Sequence, residues 1–265
     1  MIAALADLWA AYRVPEKCSK GARDLPRPIG HAAALVPSGV AGLSRVTETH
    51  SMNLDTQTTR GPNSRRIAFM LALVFAGEAI YGLPFLVARI FRPTLLDVFG
   101  ITNFQLGTGL SVYGVVAMAA YLFGGPLADR FSARGMMTVA LFMTAIGGIY
   151  YATVPGMVGL WVMFAFWGVT TVFIFWAPMI RATRSWGGYE SQGKAFGILD
   201  GGRGLVAALI ATVTVAVFAA LLPGDQALAS LEQRTVALKQ VIWIFTGMAC
   251  AAGVAVWFCV TNEND

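Results

Sequence analysis

The chain has almost none of the residues that build a catalytic centre. Histidine occurs twice, at His31 and His50, both ahead of the first long apolar block. The apolar part therefore supports neither serine–histidine chemistry nor a histidine-ligated metal. Cysteine occurs three times, at Cys18, Cys250 and Cys259. The last two lie nine residues apart inside one apolar block, a spacing of neither a disulfide framework nor a zinc site, so they read as packing residues. Charge is scarce too. Only 12% of residues are charged, where an average globular protein has about 25%. A soluble fold of this length would need more charge to cover its surface. The nearest approach to a phosphate-cradling loop runs from Gly188 to Gly193-Lys194. It continues with Ala195 where a hydroxyl is required, and no strand precedes it. An ATP-driven pump built from this chain alone is excluded. No cofactor is expected, and no enzyme nucleophile has support.

What is abundant is apolar surface: 57% of residues are hydrophobic. They fall into long blocks at about 67–91, 104–126, 136–155, 157–180, 194–222 and 240–260. Each is near or above the roughly 20 residues that cross a bilayer as a helix. Strands with open edges cannot satisfy their backbone in lipid, so the spans are helices. The expected fold is an all-α integral membrane protein with six transmembrane helices. The net charge of +5 comes from basic residues in the N-terminal stretch and in short connections, not from a basic face interleaved with aromatics. The lipid bilayer is the expected partner, and nucleic acid is not.

Residues 1–65 differ from the rest. Pro15-Glu16-Lys17-Cys18-Ser19-Lys20 and Asp24-Leu25-Pro26-Arg27-Pro28 break any period. The first dozen residues are apolar but interrupted by Asp7, and no basic segment precedes them, so they do not read as a signal peptide. Met52 opens a polar leader, Asn53-Leu54-Asp55-Thr56-Gln57, that runs on to Arg65-Arg66. Two readings stand for residues 1–51: an upstream extension from a misassigned start, or a disordered cytoplasmic tail. The organisation expected is a tail over 1–65, a six-span domain over 66–260 and a short cytoplasmic tail over 261–265.

Lysine and arginine near span ends set orientation. Arg60, Arg65, Arg66, Arg130, Arg134, Arg181, Arg184 and Lys194 fall on one side; Arg89, Arg92, Arg234 and Lys239 fall on the other. Eight against four favours both termini in the cytoplasm, in a multi-pass protein of the inner (plasma) membrane.

The second connection reads Gly125-Pro126-Leu127-Ala128-Asp129-Arg130-Phe131-Ser132-Ala133-Arg134. This resembles the signature loop of the major facilitator superfamily, G-x-L-a-D-r-x-G-r-k. Gly125, Leu127, Ala128, Asp129, Arg130 and Arg134 match, whereas Ser132 replaces a glycine and Ala133 a basic residue. The resemblance covers about residues 60–260, six spans where the family has twelve, and corresponds to the N-terminal half of that fold. It implies secondary transport of a small solute by alternating access around a midplane site. It also implies that Gly125, Leu127, Asp129, Arg130 and Arg134 form a conformational latch. In the family, helices three and six face lipid, and spans three and six here carry no charge.

Ionisable residues at membrane depth cost at least about 2.5 kcal/mol and need a reason. Glu78 lies near the centre of span one, which lines the cavity in the family. It reads either as a proton or substrate site or as a packed neutral carboxyl. Span five carries Asp200 and Arg203. Arg203 is about 14 Å along the helix from Lys194, and the i, i+3 spacing lets the two pair. They read either as a structural ion pair or as a cationic site for an anion with Asp200 as its resting partner. Gly193, Gly197, Gly201 and Gly204 form a small-residue stripe that reads as a helix-packing seam. The stretch from Phe175-Trp176-Ala177-Pro178 through Arg181, with Gln192-Gly193-Lys194 and Gly201-Gly202-Arg203-Gly204, is similar to the organophosphate and organic-anion antiporter branch. That implies an organic anion, proton- or anion-coupled, with Trp176 either lining the cavity or anchoring at the interface.

Three readings of the whole remain: a half-transporter completed by a second copy, an N-terminal half lacking its C-terminal partner, or a non-transporting membrane interaction protein.

Overall fold

The computed structural model describes the backbone of residues 63–223 and 229–261, and side chains there except at 63 and 123–129. The N-terminal tail with Cys18, His31, His50 and the Met52 start, and the final tail beyond residue 261, lie outside the described residues. Helix α1 (Asn63–Tyr81) runs through a π-helical turn (Gly82–Leu86) into α2 (Val87–Ile90), and a short α3 (Arg92–Phe99) follows. Then come α4 (Asn103–Arg130) and α5 (Ala133–Ala152). The fourth span is α6 (Met157–Gly168), a π-helical stretch (Val169–Trp176) and α7 (Ala177–Gly187). Helices α8 (Gln192–Ala220) and α9 (Leu231–Cys259) complete the chain order. Among the described residues six helical runs are long and apolar enough to cross a membrane.

The helix starts have local causes. Thr102 accepts from the Gln105 N–H while Gln105 reaches back to the Thr102 N–H, a reciprocal cap that opens α4. Ser230 and Gln233 repeat the device at α9. The sixth helix therefore begins at Leu231, well before the apolar block at 240, because a cap and not hydropathy sets its start. The signature stretch is helical to Arg130, so it is not a loop. Only Phe131 and Ser132 separate α4 from α5. Ser132, the departure from the family pattern, caps α5 by accepting from the Gly135 N–H at 3.1 Å.

Packing within the chain is uneven. Helix α9 lies along α5 and α1, α4 lies along α6, and α8 leans on α1 and α7. Over their most apolar stretches, spans three and six are 61% and 50% buried, whereas spans two and five are 22% and 11% buried. Within the described chain spans two and five are the open ones and spans three and six the more packed ones, which leaves the expectation that spans three and six face lipid untested. Absence of charge could not separate these cases, because a helix packed on its neighbours and one facing lipid are equally apolar.

Two clasps fix the first span and the connection that follows it. The Arg66 guanidinium donates to the Trp186 carbonyl at 3.0 Å, and the Trp186 indole donates to the Arg66 carbonyl at 2.8 Å. On the other side of the bundle, Arg234 pairs with Asp97 of α3 at 2.9 Å, which ties the first connection to α9. Span one is thereby held against span four at its Arg66 end, several helical turns from the centre described next.

Candidate functional site

Arg203 projects from α8 onto α1. Two glycines make the approach possible. A Cβ at Gly202 would stand 2.8 Å from the methyls of Val74, and one at Gly77 would stand 2.9 Å from the Arg203 Cδ. With hydrogens there instead, the helices close and Arg203 Nε donates to the Gly77 carbonyl at 3.1 Å. Arg203 Nη1 reaches Asp200 Oδ1 at 3.3 Å, and Nε lies 3.9 Å from Glu78 Oε2. Glu78 and Arg203 are mostly buried, while the Asp200 side chain is 70% exposed. One guanidinium is thus shared between a buried carboxylate and an open one.

Aromatic rings flank the cation. The guanidinium carbon is 5.6 Å from the Tyr81 ring and 5.9 Å from the Trp176 ring. These two rings meet edge-on at 6.3 Å. Tyr81 closes α1 immediately before its π-helical turn, and Trp176 ends the π-helical stretch of span four. Such turns often mark functional sites, because the wider helix re-aims the side chains at its ends. Of the sequence-predicted site residues, Glu78, Asp200, Arg203 and Trp176 come together. Trp176 stands beside Arg203. Tyr81 and Gly77 complete the set and were missed, although Tyr81 follows Glu78 by one helical turn and shares its face.

A second polar cluster lies between spans two, three and four. The Tyr113 hydroxyl is 2.7 Å from Thr171 Oγ1, and Thr144 Oγ1 is 2.9 Å from Thr170 Oγ1. Both Thr170 and Thr171 donate to the Trp167 carbonyl, and the Trp167 indole donates to the Thr144 carbonyl. Phe85 bridges the clusters: its ring is 4.8 Å from Tyr113 and 6.0 Å from Tyr81.

The remaining expected residues lie elsewhere. The side chains of Gly125, Leu127 and Asp129 are outside the described residues. Arg130 is exposed, and Arg134 sits 5.1 Å over the Trp257 ring. A Cβ at Gly193, Gly197, Gly201 or Gly204 would meet nothing within 4 Å, so this stripe packs on no described part of the chain. The glycine of α8 that does pack inward is Gly202. Cys250 and Cys259 are free thiols of intermediate burial.

Comparison with known proteins supplies the frame. The family model described as Major Facilitator Superfamily matches residues 67–265. The chain is 31% identical over 207 residues to "Inner membrane protein YqcE" of Escherichia coli strain K12, covering 77% of this chain and 46% of that protein. It is 27% identical over 201 residues to "Inner membrane protein YihN" of the same organism, covering 76% of this chain and 45% of that protein. A third relative, "Uncharacterized protein MG294 homolog" of Mycoplasma pneumoniae, is 28% identical over 149 residues, with 51% of this chain and 31% of that protein covered. No solved structure matches. The chain spans about half the length of the two E. coli relatives. With the family model matched across all six spans, the chain belongs to the Major Facilitator Superfamily.

Proposed function

We propose that this chain forms one six-helix half of a secondary carrier, that the carrier moves a small organic anion by alternating access, and that Arg203 is the anion's contact. The observation that carries the reading is the shared guanidinium: Arg203 well inside the apolar span α8, anchored through Gly77, with an open carboxylate on one side and a buried one on the other. A cation at that depth has a function or a partner, and a partner as exposed as Asp200 is exchangeable. An anion arriving from the open side displaces Asp200 and takes over the Nη1 donor. Tyr81 and Trp176 hold the guanidinium plane and exclude water from its faces.

Charge counting sets the coupling. Two carboxylates surround one guanidinium, so an added anion leaves the site two charges negative unless a proton joins it. Glu78, the buried carboxylate, is the acceptor in this reading, and uptake is coupled to protons. The other parts follow the family frame. Both termini face the cytoplasm of an inner membrane, and Gly125, Leu127, Asp129, Arg130 and Arg134 form the latch. Gly193, Gly197, Gly201 and Gly204 are the seam for a helix of the opposing half, whether a second copy or the rest of a longer protein.

The test is uptake of labelled sugar phosphates and small carboxylates into proteoliposomes. Saturable uptake that is lost in Arg203→Gln is the expected result. A protein with the charges exchanged, Asp200→Arg/Arg203→Asp, keeps the ion pair and moves the cation to the wrong position. Full uptake by that variant would reduce the pair to a structural one and sink the anion site.

A further inference from the structure

Between α5 and the π-helical stretch of span four lies a cleft of about 380 Å³, lined by Phe131, Ser132, Gly135, Met136, Val139, Phe173 and Ile174. Ser132 is the one lining residue with a polar side chain, and its hydroxyl is already engaged with the Gly135 N–H. Phe131 and Val139 are 57% and 51% exposed, so the cleft opens sideways on the outer surface of the described helices. Ser132, Gly135, Met136 and Val139 recur at helical spacing on one face of α5. From Phe131 to Val139 the wall descends about 12 Å, and from Arg181 to Ile174 about 10 Å. The depth suits the upper part of a lipid tail.

The mouth is basic. Arg181 donates to the Phe131 carbonyl at 2.9 Å, which places it at the rim. Arg184 lies one turn further along α7, and Arg130 immediately precedes Phe131; both are exposed. Residues 121–139 and 170–187 together contain four arginines, and Asp129 is the sole acidic residue in them. An apolar slot below a cationic rim is complementary to one kind of occupant, because basic pockets between transmembrane helices bind anionic head groups.

We propose that the cleft holds one acyl chain of an anionic phospholipid, with its phosphate among Arg130, Arg181 and Arg184. The site is separate from the Arg203 centre and does not depend on the transport reading. It does touch that centre's scaffold, because Phe173 and Ile174 belong to the same π-helical stretch as Trp176.

The full chain is reconstituted in phosphatidylcholine bilayers containing a minor share of phosphatidylglycerol, extracted gently, and its retained lipid counted by native mass spectrometry. Phosphatidylglycerol is expected to be retained in preference to phosphatidylcholine. That preference should fall about tenfold in Arg130→Gln/Arg184→Gln, which removes two exposed charges from the rim. It should fall as far in Val139→Trp, which fills the cleft from its exposed edge and leaves every rim charge in place. Equal retention of the two lipids, or preference undiminished in both variants, would overturn the proposal. So would efficient cross-linking of Val139→Cys to a second polypeptide in native membranes, since protein would then cover the cleft.

Discussion

The two buried polar clusters of this bundle are built to different standards. The hydroxyl cluster around Tyr113, Thr144, Trp167, Thr170 and Thr171 is neutral, and its shortest contacts, at 2.7 and 2.9 Å, are near the preferred O–H···O separation. The Arg203 cluster is charged and loose. Its Asp200 contact is 3.3 Å and its Glu78 contact, at 3.9 Å, is too long for a hydrogen bond. Satisfied neutral groups lock helices together. A guanidinium held by a carbonyl and two stretched carboxylate contacts retains capacity for another partner. Damage to the first cluster should therefore appear as lost stability, and damage to the second as lost uptake.

The largest expected effect is that of Arg203→Ala. Truncating a desolvated charge partner costs about 2–5 kcal/mol of binding, so uptake of the recognised anion should fall about a hundredfold at sub-saturating concentration. Equal loss in Thr170→Val would erase the distinction between the clusters. Next is Glu78→Gln. If Glu78 carries the coupling proton, uptake by the native protein rises as external pH falls, and the variant's uptake is flat across the same range. An unchanged pH profile at full rate removes the proton role and leaves Glu78 as a packing group.

Gly77→Ala probes the anchor. The new methyl would stand 2.9 Å from the Arg203 Cδ, so the side chain must shift and its bond to the Gly77 carbonyl is expected to be lost. The expected result is an about tenfold rise in KM, consistent with loss of one charge-assisted hydrogen bond of about 1.5 kcal/mol, with little change in thermal stability. A fall in stability without a KM change would show that Gly77 serves packing alone. The hydroxyl cluster predicts the reverse. Thr144→Val/Thr170→Val should lower stability by about 0.6 kcal/mol, since it removes one buried interhelical hydrogen bond and such bonds in membrane bundles average about that much, and should leave KM in place.

The charged centre was largely legible in the sequence because charge in a hydrophobic block is conspicuous. Glu78, Asp200 and Arg203 interrupt runs of apolar residues, and each such interruption has to be explained. Their meeting was not legible. Nothing in the spacing says that α8 lies against α1, and that depends on Gly202 facing Val74. The glycine stripe shows the same limit from the other side. Period 3.6 places Gly193, Gly197, Gly201 and Gly204 on related faces, but periodicity does not name the partner, and the described chain supplies none. The hydroxyl cluster was invisible because threonine is common in membrane helices and usually bonds to its own helix. Thr183, donating to the Met179 carbonyl, does so here. Ser132 is the instructive miss: against the family pattern it is only a departure from glycine, and in place it is the cap of α5.

The smallest effects offer the sharpest separation between satisfied and unsatisfied polar groups, because one substitution can be made at two buried tyrosines. Tyr113 has a partner, Thr171. Tyr151 is fully buried among Phe99 and Trp167, and its hydroxyl has no hydrogen-bond partner among the described residues. Phenylalanine keeps the ring contacts at both sites and removes only the oxygen. At Tyr113 the change forfeits an interhelical bond, while Thr171 remains bonded to the Trp167 carbonyl, so stability should fall by about 0.6 kcal/mol. At Tyr151 the change relieves a buried, unpaired hydroxyl, whose burial costs about 1–3 kcal/mol, so stability should rise. Thermal unfolding of the two variants in the same detergent reads the sign directly. Shifts in opposite directions would support hydrogen-bond satisfaction as the property that separates structural from functional polarity in this bundle. Shifts in the same direction would mean that burial alone governs both, and that the looseness around Arg203 is no guide to function.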